Sequence, residues 1–146
     1  MCGFVDFLMG GWVDCGFFDW MNFNFLKTIT MRKNELLEVT FKLALQIIEF
    51  SELLEERKKY VIAKQVLRSG TSVGANCKES QGAESRADFI HKLKIAYKEA
   101  SETGYWLELC KFSKNYPDPN KDVQDSLHSS LKILGKILSS TKKKNN

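Results

Sequence analysis

The residues whose types and spacing could do chemistry fall into three groups. Between Gln65 and Glu79, Arg68, Ser72, Asn76 and Glu79 recur at spacings of four, four and three, which places them along one stripe of a helix. Such a stripe is either a structural hydrogen-bond network between helices or subunits, or a polar binding site. Paired polar groups kept for packing specificity are the commoner case. Gly70 and Gly74 stand beside them, and a mid-helix glycine costs about 1 kcal/mol relative to alanine, so two at a spacing of four argue for close helix–helix approach. The second group is cationic. His91, Lys94 and Lys98 share one helix face, with Lys92, Lys111 and Lys114 nearby and a lysine-rich tail at 142–146 beyond them. Repeated in an oligomer, this stripe becomes a positive field that engages phosphates. The interleaved Glu99, Glu102 and Glu108 leave a mixed, solvated surface as the other reading.

The third group is the nucleophiles and metal ligands. Met1-Cys2-Gly3-Phe4 looks superficially like an exposed N-terminal cysteine nucleophile, but that chemistry needs a layered sheet, and no segment downstream patterns as strand. Asp88 and His91 make one acid-x-x-His pair without the second copy that a two-metal bundle uses. His128 has no acid three residues before it, and Ser, His and Asp occur in no nucleophile turn. Cys2, Cys15, Cys77 and Cys110 form no Cys-x-x-Cys pair and read as reduced thiols. No catalytic residue, cofactor site, metal site or small-molecule substrate is expected.

The elements that must position these groups are helices. The chain has 146 residues, enough for one domain, and its two prolines both fall between Tyr116 and Asn120. From Asn34, a good N-cap, to about Arg57, Leu36, Thr40, Leu43, Ile47, Phe50 and Leu54 recur every four and three residues. Leu37, Phe41, Ala44 and Ile48 add a neighbouring stripe, so this helix is expected to be buried on two sides. A second helix runs from about Tyr60 to Gln81, with Gly82 as its stop and Ala63, Val66, Leu67, Gly70, Val73, Gly74 and Cys77 as a core face of small residues. A third opens on the capping box Ser85-x-x-Asp88 and carries Phe89, Leu93, Ala96, Ala100, Thr103, Leu107 and Cys110 inward as far as about Lys114. The last follows Asp118 as N-cap and Pro119 as first helical residue. Its stripe is Val123, Leu127, Ser130, Leu134 and Ile137, with Leu131, Ile133 and Leu138 alongside. Four amphipathic helices joined by short links make an all-α, antiparallel up-down-up-down four-helix bundle over residues 31–141.

Residues 1–30 differ in kind. They hold eight of the aromatics, among them Phe17, Phe18 and Trp20, in no sustained period, and a net charge of −2 against +6 for residues 31–146. The abrupt change at Met31 marks that methionine as the expected start, with residues 1–30 a leader translated from upstream sequence. The alternative is a partner-binding arm. Asp6, Asp14 and Asp19 interrupt its apolar stretches, which excludes a signal peptide or a spanning helix there and leaves a cytoplasmic protein as the expectation.

The run from Gln65 to Gln81, followed by Ala83-Glu84-Ser85-Arg86-Ala87-Asp88-Phe89-Ile90-His91-Lys92-Leu93-Lys94-Ile95-Ala96, Lys98 to Thr103 and Tyr105 to Leu109, strongly resembles the bacterial four-helix-bundle family first noted as products of intervening sequences in large-subunit ribosomal RNA genes. The resemblance covers about Asn34 to Leu138, and Cys77 and Tyr97 depart from the family's usual smaller or apolar residues. It implies a bundle that assembles into a ring, typically a homopentamer. It also implies relatedness to the accessory variability protein of diversity-generating retroelements, which engages reverse transcriptase and RNA. The matching residues look like packing and assembly determinants. Two functions follow as expectations: a non-enzymatic oligomeric scaffold that binds structured RNA or a ribonucleoprotein partner, or a protein-directed assembly module with no nucleic-acid role.

Overall fold

Apolar side chains spaced alternately by three and four residues can be shielded from water only if each helix turns its stripe toward a common axis. The computed structural model, which describes residues 34–143, shows this arrangement. Its elements are α1 (Glu35–Glu56), α2 (Tyr60–Ser80), α3 (Arg86–Phe112) and α4 (Lys121–Lys143), with no strand among the described residues. The aromatic-rich leader and the last residues of the basic tail lie outside the described residues. α2 packs on α1 and α3, and α4 closes the circuit by packing on α3 and α1, while the diagonal pairs nowhere bring their Cα atoms within 8 Å. Links this short between long helices force neighbours to run antiparallel.

The core follows the stripes. Leu36, Thr40, Leu43, Ile47, Phe50 and Leu54 of α1 are buried, as are Leu93, Ala96, Ala100, Thr103, Leu107 and Cys110 of α3 and Val123, Leu127, Ser130 and Leu134 of α4. On α2 the buried set is Ala63, Val66, Ser69, Gly70, Val73, Cys77 and Ser80, whereas Leu67 stays partly open. Buried hydroxyls are satisfied by carbonyls one turn back, as Thr40 is by Leu36 at 2.7 Å and Ser130 by Ser126 at 2.8 Å. Across the α2–α3 seam the hydroxyls of Ser69 and Thr103 meet at 3.0 Å.

Four details differ from the sequence reading. The second stripe of α1 is only partly covered within the chain: Leu37 packs against the core and Ala44 is half-buried, but Phe41 is 66% exposed and Ile48 is open, as is neighbouring Leu45, because two neighbours cover only part of a helix this broadly apolar. The N-cap of α4 is Asn120, not Asp118. Asn120 Oδ1 accepts from the Val123 amide at 2.9 Å, and Pro119 stays outside the helix with its carbonyl accepting from Gln124 Nε2 at 2.7 Å. α2 ends on Gln81 in right-handed conformation and uses no left-handed glycine at Gly82. The left-handed residue is Lys58, at φ 59°, in the link from α1 to α2. The start of α3 is as read, with Ser85 Oγ accepting from the Asp88 amide at 3.1 Å, although the Asp88 carboxylate answers to the amide of Glu84.

Candidate nucleic-acid interface

The glycines and the polar stripe of α2 serve different seams. Gly70 and Gly74 face α1: a Cβ on Gly70 would stand 2.7 Å from both γ-carbons of Ile47, and one on Gly74 would stand 3.4 Å from the Thr40 carbonyl oxygen. Arg68 and Glu79 face α3. The Arg68 guanidinium hydrogen-bonds Glu102 and lies 3.6 Å from Glu99, whose Oε2 is buried without a hydrogen-bond donor. Trp106 Nε1 also donates to Glu102, at 3.2 Å. At the other end, Glu79 and Lys92 pair at 2.6 Å, and the hydrogen bond and charge of Glu79 hold the Lys92 pKa above its ordinary value. Asn76 stays within its own helix, donating to the Ser72 carbonyl at 2.9 Å. Of the four stripe residues, two therefore cross to α3 and two do not.

These pairings set the electrostatics of α3. Glu99 and Glu102 are drawn toward its α2 flank, where the single positive charge of Arg68 lies between them and offsets one of their two negative charges. His91, Lys94 and Lys98 lie on its outward face and are exposed, and none of the three forms an ion pair among the described residues. Lys92 leaves the set because Glu79 holds it. Lys111 lies on the α4 flank, 3.4 Å from Gln124 Oε1 and beside Glu108, and Lys114 lies beyond the end of the helix. Of the six residues singled out in the sequence, Lys94 and Lys98, with His91 beside them, form one face without an ion pair among the described residues. The sorting of the glutamates was not visible in the sequence, because it depends on which flank of α3 meets Arg68.

The surface offers polyanion binding by charge rather than bond-making chemistry. Burial pushes the Cys77 thiol up to about 11, partly offset by a hydrogen bond with Thr40, and burial raises Cys110 as well, so neither is a ready thiolate. Among the described residues no three His, Cys, Asp or Glu side chains gather as a metal site, and no helix is long and apolar enough to cross a membrane. The seam between α3 and α4 carries two clefts, one of which contains His128, a residue the sequence reading left without a role. Mid-helix Gly104 and Gly135 were the sequence signal for that seam.

Comparison with known proteins agrees with the architecture. A family model described as the 23S rRNA-intervening sequence protein matches residues 32–140. Among solved structures, the chain is similar to a protein of unknown function from the S23 ribosomal protein family of Bacteroides thetaiotaomicron VPI-5482. The two share 40% identity with a TM-score of 0.66, over 70% of this chain and 97% of that one. No curated protein matches the chain.

Proposed function

The chain belongs to the 23S rRNA-intervening sequence protein family, and from that premise we propose that it is a non-enzymatic, homo-oligomeric scaffold of the cytoplasm that binds structured RNA or a ribonucleoprotein through its outward α3 face. The observation that carries this reading is the sorting of charge on α3. Arg68 draws Glu99 and Glu102 toward α2 and offsets one of their two charges, while Lys94 and Lys98, with His91 beside them, form no ion pair among the described residues. Their side chains are free to displace the counterions condensed on a phosphate backbone, a gain that multiplies when the face is repeated around an oligomer. Assembly itself is supported by Phe41, Leu45 and Ile48, apolar side chains open on the outside of α1.

Titration of the full chain with a structured ribosomal RNA fragment, and with a matched DNA duplex, at several salt concentrations tests the reading. Binding is expected to weaken linearly in log–log form with salt. The double variant Lys94→Glu, Lys98→Glu is expected to lose at least about tenfold in affinity, with a salt slope shallower by about two. Equal binding by wild type and variant, or none at low salt, would overturn it. The exposed α1 stripe also favours a second reading, an assembly module for protein partners alone. That reading requires partner capture that survives nuclease and high salt.

A further inference from the structure

Charge is uneven along this bundle, with α1 acidic and the other three helices each net positive. Residues 34–85 carry seven Lys and Arg against eight Asp and Glu, whereas residues 86–143 carry eleven against seven. The cation-rich half is the α3–α4 pair, and the seam between those two helices opens into clefts. Ile90, Lys94 and Tyr97 on one bank and Gly135, Leu138 and Ser139 on the other line a cleft of about 440 Å³. That size lies within the ~300–1,000 Å³ usual for clefts that hold small organic groups.

Tyr97 gives the cleft its character. The ring is 39% exposed, and beneath its edge lies a residue without a side chain: a Cβ on Gly135 would be 3.8 Å from Tyr97 Cε2. Lys94 precedes it by three residues and Lys98 follows directly, both exposed and without an ion pair among the described residues. A partly open aromatic surface flanked by cations matches the two needs of an unpaired nucleotide, a ring to stack on and countercharge for its phosphates. Bases in a duplex are already stacked and paired, and cannot enter.

We infer that the α3–α4 cleft takes an unpaired nucleotide of RNA, its base stacked on Tyr97 and its flanking phosphates held by Lys94 and Lys98. This rests on the RNA-binding reading and names where and in what form the RNA is touched. It also gives Gly135 a role, since a larger side chain there would push the ring out of the cleft.

The test uses the full chain, a dye-labelled twelve-nucleotide oligouridylate and a blunt RNA duplex of matched charge, each titrated by fluorescence anisotropy. Tyr97→Ala is expected to weaken the oligouridylate roughly five- to a hundredfold, the loss of one base stack, and to leave duplex binding within about twofold. Tyr97→Phe keeps wild-type affinity. Gly135→Leu, which fills the cleft from the other bank, repeats the loss while the helical circular-dichroism signal stays unchanged. If Tyr97→Ala binds oligouridylate like wild type while the Lys94→Glu, Lys98→Glu variant does not, the cleft is overturned and the RNA-binding reading stands. Equal weakening of both RNAs by Tyr97→Ala also overturns the cleft. No binding of either RNA by wild type overturns both.

Discussion

The α1–α2 and α3–α4 seams are built from the same ingredients, two antiparallel amphipathic helices with glycines on the facing flanks, and they come out opposite. At α1–α2 the glycines let backbones close: Gly70 leaves no room for a methyl group against Ile47, and Gly74 lies against the Thr40 carbonyl. At α3–α4 Gly135 leaves space beneath the edge of Tyr97, although a Cβ on Gly104 would already touch Leu127 at 3.4 Å, and clefts lie on either side of the seam's middle. Charge is uneven as well, with α1 acidic and α2, α3 and α4 each net positive. A glycine in a helix therefore says only that a side chain is unwelcome. Whether it serves contact or access depends on what the opposite helix presents.

The comparison is broken most directly by adding one methyl group to each seam. Gly70→Ala gains about 1 kcal/mol of helix propensity, yet its Cβ would collide with two carbons of a fully buried side chain. Net destabilisation of about 1–3 kcal/mol is expected. Gly135→Ala meets Tyr97 only at ordinary contact distance, so propensity decides, and stability is expected to rise by about 0.5–1 kcal/mol. Urea unfolding followed by circular dichroism reads both. Equal effects of the same sign would show that the seams do not differ in this way.

How much of this could be read from the sequence follows the same line. Positions that meet a single continuous core are fixed by spacing alone, which is why Leu36 through Leu54 and Leu93 through Cys110 are buried as their periodicity predicts. The flanks were harder. Phe41 and Ile48 pattern as interior residues but lie outside, since spacing reveals how wide an apolar face is and not how many neighbours cover it. In the candidate site, His91, Lys94 and Lys98 were legible as one face. The capture of Lys92 by Glu79 and of Glu99 and Glu102 by Arg68 was not, because each joins residues far apart in sequence through the rotation of α2 against α3. The cap at Asn120 was missed for a local reason: Asp118 and Asn120 are equally good acceptors, and only the path of Pro119 between them decides.

A smaller effect sharpens the description of the closed seam. Cys77 is fully buried, and burial pushes its thiol up to about 11 in the folded chain, above the ordinary value near 9. The folded state thus holds this proton more tightly than the unfolded state does. Its contribution is complete below about pH 9 and is lost as pH rises toward 11, amounting to at most about 2 kcal/mol. Thermal unfolding between pH 8 and 11 is expected to show this decline, and Cys77→Ala to flatten it. A thiol in a seam that opened by itself would titrate near its ordinary value and show no such difference between the two proteins.

The smallest effect concerns the turn that sets the closed seam. α1 ends with the Lys59 amide bonded to the Leu54 carbonyl at 2.8 Å and the Lys58 amide to the Glu55 carbonyl at 2.8 Å, a Schellman closure whose pivot, Lys58, sits at φ 59°. Glycine is the usual pivot, because a Cβ in the left-handed region crowds the following carbonyl at a cost of about 1–2 kcal/mol. Lys58→Gly removes that strain but gives the unfolded chain more freedom, so the net gain is expected to be about 0.5–1 kcal/mol, or roughly 2–6 °C in Tm. The same replacement at Gln81, where α2 closes in right-handed conformation, offers no strain to relieve and is expected to lower Tm slightly. Differential scanning calorimetry of the two variants separates the cases: a gain at Lys58 with a loss at Gln81 places the strain in the α1–α2 link, and a loss at both shows that Lys58 holds its conformation without cost.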